Sequence, residues 1–234
     1  MNRITSSCLQ YHFDVYMHDF NFLKLLVGQA FLNPKSKIQN GITLGIALGA
    51  PGMTVTLYKW TLDRYHAAID AGLLDDQPVE LLKGDIVVMT PEREPHACYS
   101  SDGAEYLRRL LGDRASVRET KPVTLPDHSE PLPDVAIVQP PLRRYLEHHP
   151  YPEDIFWLIE YANTTLAKDL GEKKQVYAEA GIREYWVADL KNAQLKVFRD
   201  LVKGDYQTEL TLRAGIVSPL SFQDVVVDVR RLFS

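Results

Sequence analysis

Residues Ile155-Phe156-Trp157-Leu158-Ile159 form an unbroken apolar run that closes on an acid, Glu160. A short β-branched and aromatic run of this kind reads as a central strand buried on both faces. An acid at the end of such a strand sits at the edge of a hydrophobic core. Burying a lone carboxylate there is costly unless a cation or strong donors compensate it. Pro133-Asp134-Val135-Ala136-Ile137-Val138 repeats the arrangement with the acid at the strand's beginning. If the two strands are antiparallel neighbours, Asp134 lies beside Glu160. Side-by-side carboxylates repel, and a divalent metal between them relieves this best.

The surrounding pattern is that of an α/β domain. Thr61 is a plausible cap for a helix reaching about Ala71, with Leu62, Tyr65, His66 and Ile69 on one face. Val79 to Met89 reads as a hairpin turning at Lys83-Gly84-Asp85, which makes Glu80 a third candidate acid. His96 to Leu111 has partly helical spacing, interrupted by Gly103. Strands are expected near Ala115 to Lys121, Glu184 to Ala188, Leu195 to Phe198 and Tyr206 to Leu212. Leu170 to Ala180 reads as a helix stopped by Gly181. The tail from Ser221 to Phe233 could close the domain as strand or helix.

Residues 1 to 52 differ from the rest. They carry four basic residues against two acids, a balance of +2, which leaves −7 for the remainder of a chain whose net charge is −5. Phe20 to Leu32 could form one apolar helix. A domain opening begins at Met53, so residues 1–52 are expected to be an extension outside a functional domain spanning 53–234. The acidic balance argues against an extended basic surface for nucleic acid, although a local basic patch is compatible with it. Cys8 and Cys98 form neither a metal spacing nor a disulfide framework, and a reducing cytoplasm is the simplest setting. The apolar stretch from Gly41 to Val55 is too interrupted to span a bilayer.

Oxygen donors alone select Mg²⁺ or Mn²⁺ over zinc. Such an ion lowers the pKa of bound water and stabilises charge developing on a phosphate. A fixed cation is then wanted near the attacking water, and Lys173 is well placed for it, in the helix after the Glu160 strand.

The order of these pieces resembles the PD-(D/E)XK nuclease superfamily, and within it the Uma-two endonuclease family. The resemblance rests on Glu80-Leu81-Leu82-Lys83-Gly84-Asp85-Ile86-Val87, Met89-Thr90-Pro91, His96, Pro133 to Val138, His149-Pro150, and Glu153-Asp154. It continues through Glu160, Ala162 to Leu166, Asp169, Lys173, Tyr177-Ala178, Ala180 to Ile182, and Glu184 to Val187. It runs from about Met53 to the C-terminus. It implies a restriction-endonuclease-like core, a mixed central β-sheet flanked by helices, and divalent-metal hydrolysis of phosphodiesters, DNA above all, with a homodimer as a further expectation. By position, Asp134 and Glu160 correspond to metal ligands and Glu80 to the additional acid. Lysine is expected at 162, where Ala162 stands; in the resembling family the helix supplies it, which corresponds to Lys173. Lys174 competes with it, but consecutive helical residues point about 100° apart and only one can face the site. Tyr161 replaces a more usual small aliphatic residue.

Each assignment has a purely structural alternative. Asp134 could be a turn acid, Glu160 could pair with Lys173 in a buried salt bridge, and Glu80 could pair with Lys83 across its turn. His96 reads as a residue that caps or orients its helix, and Asp169 as the N-cap of the Leu170 helix. Tyr177, Tyr185 and Trp186 read as packing residues. Arg143, Arg144, His148 and His149 form a basic loop between the acid-bearing strands, a solvated loop by default that could touch phosphates. A non-catalytic binding or assembly protein on the same fold, and hydrolysis of a smaller phosphoester, are the competing functions.

Overall fold

The fold is described from a computed structural model for residues 56–126 and 128–234. The expectations for residues 1–52, including the Phe20 to Leu32 helix, lie outside the described residues.

Six strands form the central sheet in the order β3-β4-β5-β6-β7-β8. They are β3 (Ser116–Glu119), β4 (Val135–Val138), β5 (Ile155–Ala162), β6 (Tyr185–Asp189), β7 (Gln194–Val202) and β8 (Asp205–Leu212). All neighbours are antiparallel except β5 and β6, so the sheet is mixed. The apolar run of β5 lies in the middle, as its composition predicts. The strand extends beyond Glu160, because Tyr161 and Ala162 pair with Ala188 and Asp189 of β6. Alternation along the strands separates two cores. Val135, Ile137, Trp157, Ile159 and Tyr161 point to one face, and Ala136, Val138, Leu158 and Ala162 to the other.

Helix α2 (Glu94–Leu111) covers the first face through Ala104, Leu107 and Leu111. The tail packs on the same core: β9 (Ile216–Val217) pairs with β10 (Val227–Asp228), and a 3₁₀ turn over Val229–Leu232 follows. Gly103, which weakens the helical pattern in the sequence, has a packing reason. A Cβ there would stand 1.8 Å from the Tyr161 hydroxyl oxygen. The Tyr161 side chain of β5 is accommodated by the missing side chain at Gly103 in α2, away from the acids.

The second face is covered by the crossover between β5 and β6. It runs as α3 (Leu166–Lys168), a π-helical segment (Asp169–Lys173) and α4 (Lys174–Glu179), and Val176, Tyr177 and Ala178 face the core. The helix therefore begins four residues before the predicted Leu170. Asp169 is not its N-cap but lies within it, accepting a bond from the Thr165 hydroxyl at 2.6 Å. The 3.6-residue pattern understates this segment because its middle turn is wider than an α-turn.

Helix α1 (Leu62–Asp70) starts at Thr61, whose hydroxyl accepts from Arg64 N. Its buried residues are Tyr65 and Ala68, while Ile69 is exposed, so the predicted apolar face is rotated. The hairpin of β1 (Val79–Leu82) and β2 (Asp85–Val88) is as read, with Lys83 and Gly84 both at positive φ, the geometry of a tight two-residue turn. Its backbone also meets the segment after β3, through Leu81 N to Glu130 O and Glu130 N to Leu81 O. This contact sets Glu80 beside the segment leading into β4, where its Oε2 accepts the Leu132 backbone N–H.

Candidate functional site

Strand register brings the two strand-borne acids together. Val135 of β4 lies opposite Ile159 of β5, so Asp134, one residue earlier, lies at the level of Glu160. Asp134 Oδ2 accepts the Tyr161 backbone N–H at 2.6 Å and faces His96 Nε2 at 3.0 Å. Glu160 is buried to 2 % exposure, and its Oε1 accepts from Lys173 Nζ at 2.9 Å and from the Tyr177 hydroxyl at 2.7 Å. Each acid therefore has one oxygen anchored. Asp134 Oδ1 and Glu160 Oε2 have no hydrogen-bond partner among the described residues, and neither is a sealed, unpaired atom.

Glu80 comes from the hairpin and is 1 % exposed. Its Oε1 accepts from Lys168 Nζ at 2.5 Å, while its Oε2 accepts the Leu132 backbone N–H at 3.2 Å and lies 3.5 Å from Lys173 Nζ. The pairing with Lys83 does not occur, because Lys83 reaches Glu179 at 2.7 Å. Lys173 bridges Glu160 and Glu80 at 5 % exposure. Lys174 turns away and lies over the Phe198 ring, 5.1 Å from its centroid. One cleft of about 180 Å³ is lined by Glu80, Asp134, Glu160 and Lys173 together, and also by His96, Lys168 and Asp169.

The electrostatics follow from this crowding. Desolvation by itself would lower the Lys173 ammonium, but Glu160, Glu80, Asp134 and Asp169 outweigh it and hold the group well above the ordinary lysine value. Burial pushes the Glu160 carboxyl up to about 8, opposed by Lys173 and reinforced by Asp134 and Asp169. Burial also raises Asp169, opposed by Lys173 and the Thr165 hydroxyl. The ammonium is the species that stays charged: four acids surround it, and loss of its proton would leave them uncompensated.

Three participants were not legible as such in the sequence. Lys168 stands five residues before Lys173, a spacing that an α-helix places on different sides. The π-helical segment between them has i→i+5 periodicity and brings both ammonium groups to Glu80. Tyr177 reads as packing, yet its hydroxyl holds Glu160. Glu92 carries no pattern at all, because it precedes α2 in an irregular segment. The basic loop is structural where it is anchored: Arg144 pairs with buried Asp154 at 3.1 Å, and His148 stacks on Tyr151. It does not line the acid cleft.

Oxygen donors at Asp134 and Glu160, beside a fixed ammonium, fit a hard divalent cation. Among the described residues, the set whose donor atoms all lie within 4.8 Å of one another is a different one, Glu92, His96 and Asp134. Glu80, Asp134 and Glu160 do not form such a set; Glu80 and Glu160 are held by lysines.

A mixed sheet with helices on both faces and acids converging from β1, from the residue before β4 and from β5 defines a restriction-endonuclease-like domain. A family model described as "Putative restriction endonuclease", Uma2, matches residues 62–230, and the chain belongs to this family. Among solved structures, it is similar to one from Anabaena variabilis described as "a putative nuclease belonging to DUF820". The likeness has a TM-score of 0.55 and 16% identity, over 68% of this chain and 90% of that one. No curated protein matches the chain.

Proposed function

We propose that this protein is a divalent-metal-dependent endonuclease acting on nucleic-acid phosphodiesters, with DNA as substrate. The observation that carries this reading is the pair Asp134 and Glu160. Strand pairing holds them side by side, each with one oxygen anchored and one without a partner among the described residues, in a cleft that also contains a buried ammonium. Asp134 and Glu160 would hold Mg²⁺ or Mn²⁺, with Glu80 as the additional acid. The bound ion would supply a more acidic water and charge stabilisation at the phosphate.

The chain's own groups have separable tasks. Tyr177 and Lys173 fix one Glu160 oxygen, which directs the other. Lys173 holds a permanent positive charge in a site nearly closed to water, where it orients the attacking water and stabilises negative charge developing on the phosphate. Glu80 keeps the Lys173 and Lys168 ammonium groups close together. Lys168, partly open to solvent, adds a second positive charge to the cleft wall.

Purified protein is expected to cut DNA with Mg²⁺ or Mn²⁺ and not in chelator. Asp134→Ala is expected to abolish cutting with an unchanged circular dichroism spectrum. Equal cutting by the wild type and the variant would refute the assignment.

One observation favours a second reading. Lys168 and Lys173 already neutralise Glu80 and Glu160, so the cluster can exist without an ion, as in a non-catalytic binding protein built on the fold. Calorimetry separates the two: heat of Mg²⁺ or Mn²⁺ binding supports the nuclease, and its absence supports the binding protein. A panel of small phosphoesters tests the third possibility.

Residues 53–234 would form the functional domain, with 1–52 outside it. A chain starting at Met53 is expected to melt cooperatively and keep its activity; loss of the transition on removing 1–52 would overturn this division. Among the described residues no helix is long and apolar enough to cross a membrane. The proposed setting is the cytoplasm. A homodimer, testable by sedimentation, would give two cleavage centres for two strands.

A further inference from the structure

A cavity of about 480 Å³ lies apart from the acid cleft, and His66, His148 and His149 line it together with Asp63 and Glu147. None of Glu80, Asp134, Glu160 and Lys173 borders it. Helix α1 carries Asp63 and His66, and the loop between β4 and β5 carries Glu147, His148 and His149. This is the loop whose histidines the acid cleft leaves unused.

Hydrogen bonds fix which ring nitrogen is free. His66 Nε2 lies 2.9 and 3.0 Å from the two oxygens of buried Glu130, which also accepts from the Thr124 hydroxyl at 2.8 Å. A carboxylate only accepts, so Nε2 carries the proton and the neutral ring offers its lone pair at Nδ1. His148 Nδ1 lies 2.8 Å from the His149 carbonyl oxygen, again an acceptor, which leaves the lone pair at Nε2. Neither His66 Nδ1 nor His148 Nε2 has a hydrogen-bond partner among the described residues. A carboxylate or carbonyl behind the far ring nitrogen is how ligating histidines are oriented and made more basic. Burial holds His149 below the usual imidazole value, opposed by Glu130 and reinforced by Arg118, His66 and His148. This ring is thereby kept neutral as well, and it lies close enough to the other two to feel their charge.

The lining also decides the sign of a guest. No lysine or arginine borders the cavity, while two carboxylates do. A phosphate would find no fixed positive charge there, whereas a cation finds lone pairs and carboxylates. Nitrogen donors disfavour Mg²⁺ and Ca²⁺ and suit borderline first-row ions, Zn²⁺ among them.

We propose that His66 Nδ1, His148 Nε2 and His149, with Asp63 one helical turn before His66, form a zinc site that ties α1 to the β4–β5 loop. Glu130 is its positioning residue, acting through His66. The donors do not all stand within 4.8 Å of one another, unlike the Glu92, His96 and Asp134 set, so the exposed His148 moves inward as the ion binds. The ion acts as a clamp: it favours the folded state by mass action and takes no part in the chemistry of the acid cleft.

The test uses the full chain with excess Mg²⁺ to occupy the oxygen-lined cleft, and titrates Co²⁺ as a visible stand-in for Zn²⁺. Four-coordinate Co²⁺ with nitrogen ligands absorbs far more strongly in the visible than six-coordinate, oxygen-bound Co²⁺. One equivalent is expected to give the strong bands, and one equivalent of Zn²⁺ to bleach them and raise Tm. His148→Ala, at an exposed position, should remove both the bands and the rise in Tm. Asp63→Asn should shift the bands and weaken binding. Glu130→Gln should keep the bands and weaken Zn²⁺ by about 10- to 100-fold. Weak six-coordinate absorption alone, or strong bands that survive His148→Ala unchanged, overturns the proposal. DNA cutting is not the readout, so the two readings are judged apart. A protein that cuts DNA without these bands loses only the zinc site, and one that binds Zn²⁺ here but cuts nothing loses only the nuclease assignment.

Discussion

Replacing Lys173 by methionine removes one charge from the site and keeps most of the side-chain volume. Lys173 Nζ lies 2.9 Å from Glu160 Oε1 and 3.5 Å from Glu80 Oε2. At an effective dielectric of about 20, unit charges at these separations attract by roughly 6 and 5 kcal/mol. Desolvation of the three groups offsets much of this. Removing one partner of such a buried pair typically costs about 3–5 kcal/mol, because the remaining charge is left uncompensated. For a domain of this size that corresponds to a fall in Tm of about 6–20 °C. Two conditions should shrink the loss. Glu160 titrates up to about 8 in the folded chain, whereas an unfolded glutamate titrates near 4. The folded state therefore holds the proton more tightly, and ionising Glu160 costs stability as pH rises between these values. Lys173→Met should be most damaging at pH 9 and least at pH 5, where Glu160 is protonated. Added Mn²⁺ should also raise its Tm more than that of the wild type, since the ion replaces the missing positive charge. The assay is thermal melting in chelator at the two pH values, then with Mn²⁺. A drop under about 2 °C at pH 9, or an equal drop at both pH values, would show that the ammonium does not compensate these acids.

Two packing predictions concern residues away from the cleft. The Tyr161 hydroxyl is buried without a partner among the described residues, so Tyr161→Phe should raise stability by about 1 kcal/mol; a destabilised variant would mean the hydroxyl is satisfied. Gly103→Ala places a Cβ against that hydroxyl and should cost about 1–3 kcal/mol, partly recovered in the double variant, as denaturant melts of the four proteins would show. Glu184 is fully buried and accepts from Arg199 at 2.6 Å, from Trp186 Nε1 and from Leu220 N. Arg199→Met should therefore cost about 3–5 kcal/mol, and a loss below about 1 kcal/mol in urea melts would argue against this knot.

What could be read from the residues followed local rules. The apolar run before Glu160 specified a central strand, and Lys83-Gly84 specified the hairpin turn. The acids Asp134 and Glu160 stood out because a carboxylate ending an apolar strand needs a physical reason. Helical angle showed that only one of Lys173 and Lys174 can face the site, and the family resemblance pointed to Lys173. Lys168 was not legible, because its approach to Glu80 depends on a wide turn that leaves no period in the sequence. The rotation of α1 and the early start of the crossover helix were missed for a related reason: tertiary packing chose among faces and end points that the pattern left nearly equivalent.

The amino-acid sequence by itself determined which segments could be buried, where the chain turns, and which acids would need compensation, since periodicity and the cost of burying charge are properties of neighbouring residues. Only the tertiary structure decided what compensates them. Register between β4 and β5 set Asp134 beside Glu160, the hairpin's contact with the segment after β3 delivered Glu80 to two lysines, and the first turn of α2 brought His96 to Asp134. These are meetings of groups far apart in the chain, and electrostatic energy depends on their separation in space, which local sequence pattern does not encode.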